Sequence, residues 1–105
     1  MIQVCPTDIV YASPVRIWDL LTNPRELAGW SDTTLIEAPE REITAADRLV
    51  LGAGMAHRLR VVFHVRQAVR PRLLSIDIRL PFGVTNDETI EISPLGSDVC
   101  RVTFN

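Results

Sequence analysis

A chain of 105 residues is the length of one domain, and a single core of that size leaves little room for a large internal cavity. With 47% hydrophobic and 23% charged residues the composition is that of a globular protein. The net charge of −2 excludes a global positive field that would gather nucleic acid or anionic membrane. All 11 positive residues are Arg and none is Lys. A coding bias toward Arg codons accounts for this as well as any use of the guanidinium fork does, because the Arg residues are scattered along the chain. The two cysteines, Cys5 and Cys100, form no CxxC pair and join no Cys/His cluster with metal-ligand spacing, so no metal is expected. The N-terminus has no basic stretch followed by a long apolar run, and no apolar segment reaches membrane-spanning length. The expected setting is the cytoplasm, with both thiols reduced.

In chain order, Ile2 to Tyr11 reads as a strand, with Pro6 marking an edge or an irregular start. Ser13-Pro14 is a helix start: Ser13 can accept from free amides, and Pro14 suits the first helical position. Val15, Ile17, Trp18 and Leu21 then follow at helical spacing. Asn23-Pro24 ends that helix and opens a second, expected to run to about Ala28 and stop at Gly29. Thr34 to Ala38 is a weak strand, Pro39 to Asp47 a polar turn-rich segment, Arg48 to Leu51 a strand, and Gly52 to Ala56 a loop.

The strongest strand signals follow. Leu59, Val61, Phe63 and Val65 alternate with Arg60, Val62, His64 and Arg66, and Leu74, Ile76, Ile78 and Leu80 alternate with Ser75, Asp77 and Arg79. A period of two marks strands with one buried face and one wet face. Arg70-Pro71-Arg72 is the turn between them, and Pro81-Phe82-Gly83 breaks the second. Glu88 to Ile92 is a strand with Ile90 and Ile92 inward, Pro94 to Asp98 a turn, and Cys100, Val102 and Phe104 the inward row of a last strand. There is no repeat, low-complexity segment or linker. One strand, two helices and a meander of strands predict an α+β domain, an antiparallel sheet with helices on one face.

The residues that carry this order resemble a known superfamily. Ile9 to Pro24 (IVYASPVRIWDLLTNP) is similar to the opening of polyketide cyclase/dehydrase-type members of the START-like (SRPBCC) superfamily. Leu27-Ala28-Gly29-Trp30-Ser31, the Pro71-Arg72-Leu73 turn, and Glu88 to Ile92 with Arg101 to Phe104 resemble its later steps. The resemblance spans Ile9 to Phe104, so residues 1–105 are expected to be one such domain. It implies the helix-grip fold, in which a curved antiparallel sheet of about six to seven strands holds a small apolar molecule against its concave face. Ala46-Asp47-Arg48 departs from the Gly-Asp usual before a strand, and the family's long C-terminal helix is missing at Asn105. Without that helix the apolar row would face water at roughly 25 cal/mol per Å². The expectations are therefore a fragment of a longer protein, a homodimer through the uncovered face, or collapse of the helices and loops onto the sheet.

On this reading the ligand-binding candidates are Trp30, His57, Leu59, Val61, Phe63, Ile76, Ile78, Asn86, Glu88 and Ile90. His57 and His64 lie seven apart and point to opposite faces, so they cannot share a metal. His57 falls on the inward row by parity, as a pocket donor or as a histidine at the mouth without a catalytic role; His64 faces solvent. Asn86 and Glu88 extend the Ile90 parity to the rim, where a desolvated carboxylate could serve as a base unless the strand starts after it. Trp18 suits the core, and Trp30 either packs or flanks a ligand. Gly52-Ala53-Gly54 is too short for a dinucleotide fingerprint, and no cofactor is expected. Cys5 and Cys100 fall on first and last strands, which neighbour each other in this fold, so a bond between them is geometrically possible, and buried reduced thiols are the expectation. No nucleophile pattern appears. The inward rows are apolar, with only His57, Gln67, Asn86 and Glu88 at their ends, which favours binding of a small hydrophobic molecule. A polyketide cyclase/aromatase-like enzyme, or a non-functional or partner-dependent fragment, is the alternative.

Overall fold

The computed structural model describes residues 7–104. The order is β1 (Thr7–Val10), α1 (Pro14–Thr22), α2 (Pro24–Ser31), β2 (Thr34–Glu37), β3 (Arg48–Ala53), β4 (Leu59–Val69), β5 (Leu73–Arg79), β6 (Thr85–Gly96) and β7 (Val99–Phe104). All seven strands form one antiparallel sheet in the order β1-β7-β6-β5-β4-β3-β2. The first and last strands are thus neighbours. Cys5 and the first part of the predicted first strand lie outside the described residues.

Local chemistry sets the helices. Ser13 Oγ accepts the Arg16 N–H, and Pro14 opens α1. Asn23 closes α1 and opens α2: its N–H donates to the Asp19 carbonyl while its side chain accepts from the Arg25 N–H. The expected stop at Gly29 does not occur. α2 runs on to Ser31 and ends at Asp32, whose φ of 56° supplies the left-handed cap. The extra turn is held by Ser31 Oγ donating to the Leu27 carbonyl and Trp30 Nε1 donating to the Leu20 carbonyl.

Residues paired across antiparallel strands share a face, so the register sorts the sheet. Leu49, Leu51, Val61, Phe63, Val65, Leu74, Ile76, Ile78, Ile90, Ile92, Cys100, Val102 and Phe104 all fall on one face, called inner here. Arg60, Val62, His64, Asp77, Arg79, Asp87 and Arg101 fall on the outer face. α1 and α2 cover part of the inner face, and Ile17, Trp18, Leu21 and Leu27 pack with Leu49, Val65, Leu74, Ile92 and Cys100 into one core. Trp18 is 1% exposed, as a core residue should be. Burial also pushes the Cys100 thiol's pKa up, which keeps it protonated and inert.

Two features escape simple alternation. The register of β4 and β5 slips between Val65 and Gln67, a bulge at Arg66. Beyond it parity inverts: Gln67 pairs with Ser75 on the outer face, and Ala68 takes the inner position opposite Leu74. Gln67 is therefore not on the inward row. The second is Ile43, fully buried although it sits in the polar segment between β2 and β3. Its N–H donates to the Thr22 carbonyl, so this loop is stitched to the end of α1. The same loop docks on β4 through Ala46 N–H to the Val65 carbonyl and Val65 N–H to the Asp47 carbonyl.

Candidate functional site

Most candidate residues on β4, β5 and β6 come together as one patch. Phe63 stands opposite Ile78, Ile78 opposite Asn86, Ile76 opposite Glu88, and Leu74 opposite Ile90. Leu59 and Val61 continue the patch along β4. Its exposure is graded. Ile76 and Ile90 are buried under the helices, Val61, Phe63 and Ile78 are partly buried, and Leu59 is 46% exposed. β6 begins at Thr85, so Asn86 and Glu88 lie within the strand on the inner face, and the Asn86 amide reaches Glu88 Oε2 at 3.5 Å. This patch is a floor rather than an enclosed cavity.

His57 is elsewhere. It closes a 3₁₀ turn, Met55–His57, in which Ala56 and His57 both have positive φ. That turn breaks the parity count backward from Leu59. The histidine lies over Gly52, where an added Cβ would stand 2.5 Å from the His57 carbonyl oxygen. Its Nδ1 shares a 2.6 Å hydrogen bond with Thr34 Oγ1, and its Nε2 is 3.9 Å from Asp32. Thr34 and Gly52 are register partners, and Gly52 is paired with Arg60, so His57 sits on the outer face and not on the inward row.

An apolar recess does exist on the inner face, toward the other edge of the sheet. It measures about 220 Å³ and is lined by Asp8, Val10, Ile17, Leu20, Leu21, Trp30, Val102 and Phe104. The sheet supplies the floor, since Asp8 stands opposite Val102 and Val10 opposite Cys100. α1 supplies one wall through Ile17, Leu20 and Leu21. Trp30, 55% exposed, is fixed at the mouth by its bond to the Leu20 carbonyl. Among the described residues Asp8 is the only charged side chain in the lining. Of the candidates read from the sequence, only Trp30 belongs to this recess. Asp8 and Val10 were missed although a signal existed: pairing β1 beside β7 puts them on the same face as Val102 and Cys100.

A larger cleft of about 520 Å³ lies between the start of α2 and the β2–β3 loop, lined by Asn23, Pro24, Arg25 and the segment Leu35 to Glu42. Charged side chains dominate it, and Glu37 and Glu42 are engaged with Arg48 and Arg70. No group of His, Cys, Asp and Glu suited to a metal occurs among the described residues.

A seven-stranded antiparallel sheet with two tandem helices gripping its inner face is the helix-grip fold. No protein-family model matches the sequence, and no curated protein matches it either. Solved structures do. An HSP90 activator from Plasmodium falciparum superposes with a TM-score of 0.75 at 12% identity, over 96% of this chain and 69% of that one. CalU16 from Micromonospora echinospora gives 0.73 at 14% identity, over 95% of this chain and 56% of that one. The Aha1 dimer from Colwellia psychrerythraea gives 0.68 at 13%, over 100% of this chain and 76% of that one. At these identities the likeness is one of fold. The chain spans little more than half the length of CalU16 and 36% of DynU16, a protein of the dynemicin biosynthetic locus.

Proposed function

We propose that this domain binds a small apolar or aromatic molecule on the inner face of its sheet, in the recess beneath α1. The observation that carries the reading is the lining: seven apolar side chains surround the space and one carboxylate, Asp8, stands among them. Ligand sites of this kind are concave, mostly apolar and oriented by few polar groups. At about 220 Å³ the recess is smaller than the ~300 Å³ typical of drug-sized ligands, which restricts the guest to one or two rings or a short chain. Calorimetric titration with a bicyclic aromatic such as 2-naphthol, read also through quenching of Trp30, tests it. Saturable binding with a negative heat-capacity change is expected. Val10→Trp should fill the recess and abolish binding. Saturation that survives Val10→Trp, or no saturation in the unmodified chain, would overturn the reading.

The enzymatic alternative needs two polar groups converging over the apolar floor. Of the candidates, Asn86 and Glu88 approach each other to 3.5 Å on the inner face, at the solvent-exposed start of β6, while His57 and Gln67 lie on the outer face, so the apolar lining of the recess carries more weight than this pair. A second copy covering the open part of the inner face is favoured by one observation: Leu59 is 46% and Trp30 55% exposed on that side. The similar Aha1 structure is a dimer, and sedimentation of this chain across a concentration series reports the corresponding equilibrium.

A further inference from the structure

The two hairpin connections β3–β4 and β5–β6 emerge at the same end of the sheet, because successive strands alternate in direction. Each closes in a 3₁₀ turn, Met55–His57 and Pro81–Gly83, and each turn presents a large apolar side chain that packs on nothing: Met55 is 92% exposed and Phe82 96%. Leu59, Leu80 and Val84 beside them are also exposed. Phe82 has a φ of 66°, a conformation an aromatic residue seldom adopts. Strain held at a side chain that adds nothing to the fold points to use elsewhere.

Within the two tips themselves every charged side chain is basic, with the exposed acids Asp32 and Asp87 standing just outside them. Residues 54–60 and 79–85 contain Arg58, Arg60 and Arg79, all exposed, and no carboxylate. The chain as a whole carries −2, so the tips are a local exception that the linear scatter of Arg conceals. Arg60 and Arg79 lie on the outer face of neighbouring strands, since Arg60 pairs with Gly52 and Arg79 with Val62. On the β2 side Asp32 lies 3.9 Å from His57.

We infer that this end of the sheet docks on an anionic lipid bilayer, with Phe82 and Met55 entering the interface and Arg58, Arg60 and Arg79 lying over the headgroups. Apolar side chains flanked by basic ones are the pattern of interfacial binding, which adds buried apolar area to attraction for anionic lipid. Each basic residue close to such a surface strengthens association by about fivefold, an effect that salt screens. The inference does not depend on the recess beneath α1.

Co-sedimentation with vesicles is the test, comparing phosphatidylcholine alone with phosphatidylcholine mixed with phosphatidylserine. The chain should bind the mixed vesicles, bind neutral ones far less, and detach as salt rises. Arg58→Gln, Arg60→Gln and Arg79→Gln should each weaken binding about fivefold, and Phe82→Asp combined with Met55→Asp by more than about tenfold. All five side chains are exposed, so the melting temperature should stay unchanged and separate a docking defect from a folding one. Failure to bind mixed vesicles, binding indifferent to salt, or binding that survives the double variant overturns the inference. So does loss of self-association, without any vesicle binding, in Phe82→Asp, which would assign the tips to contact between copies.

Discussion

At the scale of single residues the loop before β3 shows how one position can be out of step with its conformation. Ala46 has a φ of 73°, in the left-handed region, where a Cβ costs roughly 1–2 kcal/mol. Ala46→Gly removes that strain and gives back part of the gain through a freer unfolded chain, so a stabilisation of about 0.5–1 kcal/mol is expected in urea unfolding. Its neighbour Asp47 is held by Arg41 through two hydrogen bonds, of 2.7 and 2.9 Å, and accepts the Thr44 N–H. The Arg41 hydrogen bonds lead in lowering its pKa, from 3.8 to about 2. The folded state therefore binds this proton less readily than the unfolded chain. The stabilisation is present above pH 3.8 and is lost as pH falls through about 2. Asp47→Asn should cost about 1–2 kcal/mol at neutral pH, after allowance for the solvent around Arg41, and the cost should vanish at the acid end.

At the scale of elements, what was legible in the sequence was whatever followed a period. The alternating rows of β4 and β5, the Ser13-Pro14 start and the Asn23-Pro24 junction all appear where local chemistry requires them. Where tertiary contacts take over, the sequence is silent. Nothing local marks Arg66 as a bulge, so strict alternation puts Gln67 on the wrong face. Two positive-φ residues carry His57 out of the parity of Leu59. Gly29 does not end α2 because Trp30, the next residue, gains a bond to the Leu20 carbonyl. Trp30→Phe should cost about 1 kcal/mol in thermal unfolding by removing that donor and freeing the end of the helix. Across β5 and β6, Asp77 faces Asp87, and the Asp77 carboxylate raises the Asp87 pKa through hydrogen bonding and like charge. A raised acid pKa means stability is lost as pH climbs through the ordinary carboxylate range, so Asp87→Asn should raise the melting temperature at pH 7 and leave it unchanged at pH 3.

At the scale of the whole molecule, two helices cover only part of one sheet face. The covered part is a conventional core: Ile92, 2% exposed, sits between the sheet and the helices, and Ile92→Ala should cost about 2–5 kcal/mol by calorimetry. The other part is graded from buried to open and forms the apolar floor around Leu59 and Phe63, while the candidate recess lies at the margin of the covered part, beneath α1. The fold could be read from the order of elements, because that order survives errors of a residue or two. The recess could not, because it depends on which helix turn overlies which strand pair. Among the described residues no helix is long and apolar enough to cross a membrane.

At one side the sheet is bounded by β2, a strand of only four residues that is further interrupted by a register shift beside Leu35. A border that short and that uneven offers an incoming chain few consecutive rungs to copy. Templated growth into fibres is thereby discouraged at this margin, and a domain with a partly open apolar face keeps that face available without polymerising through this rim.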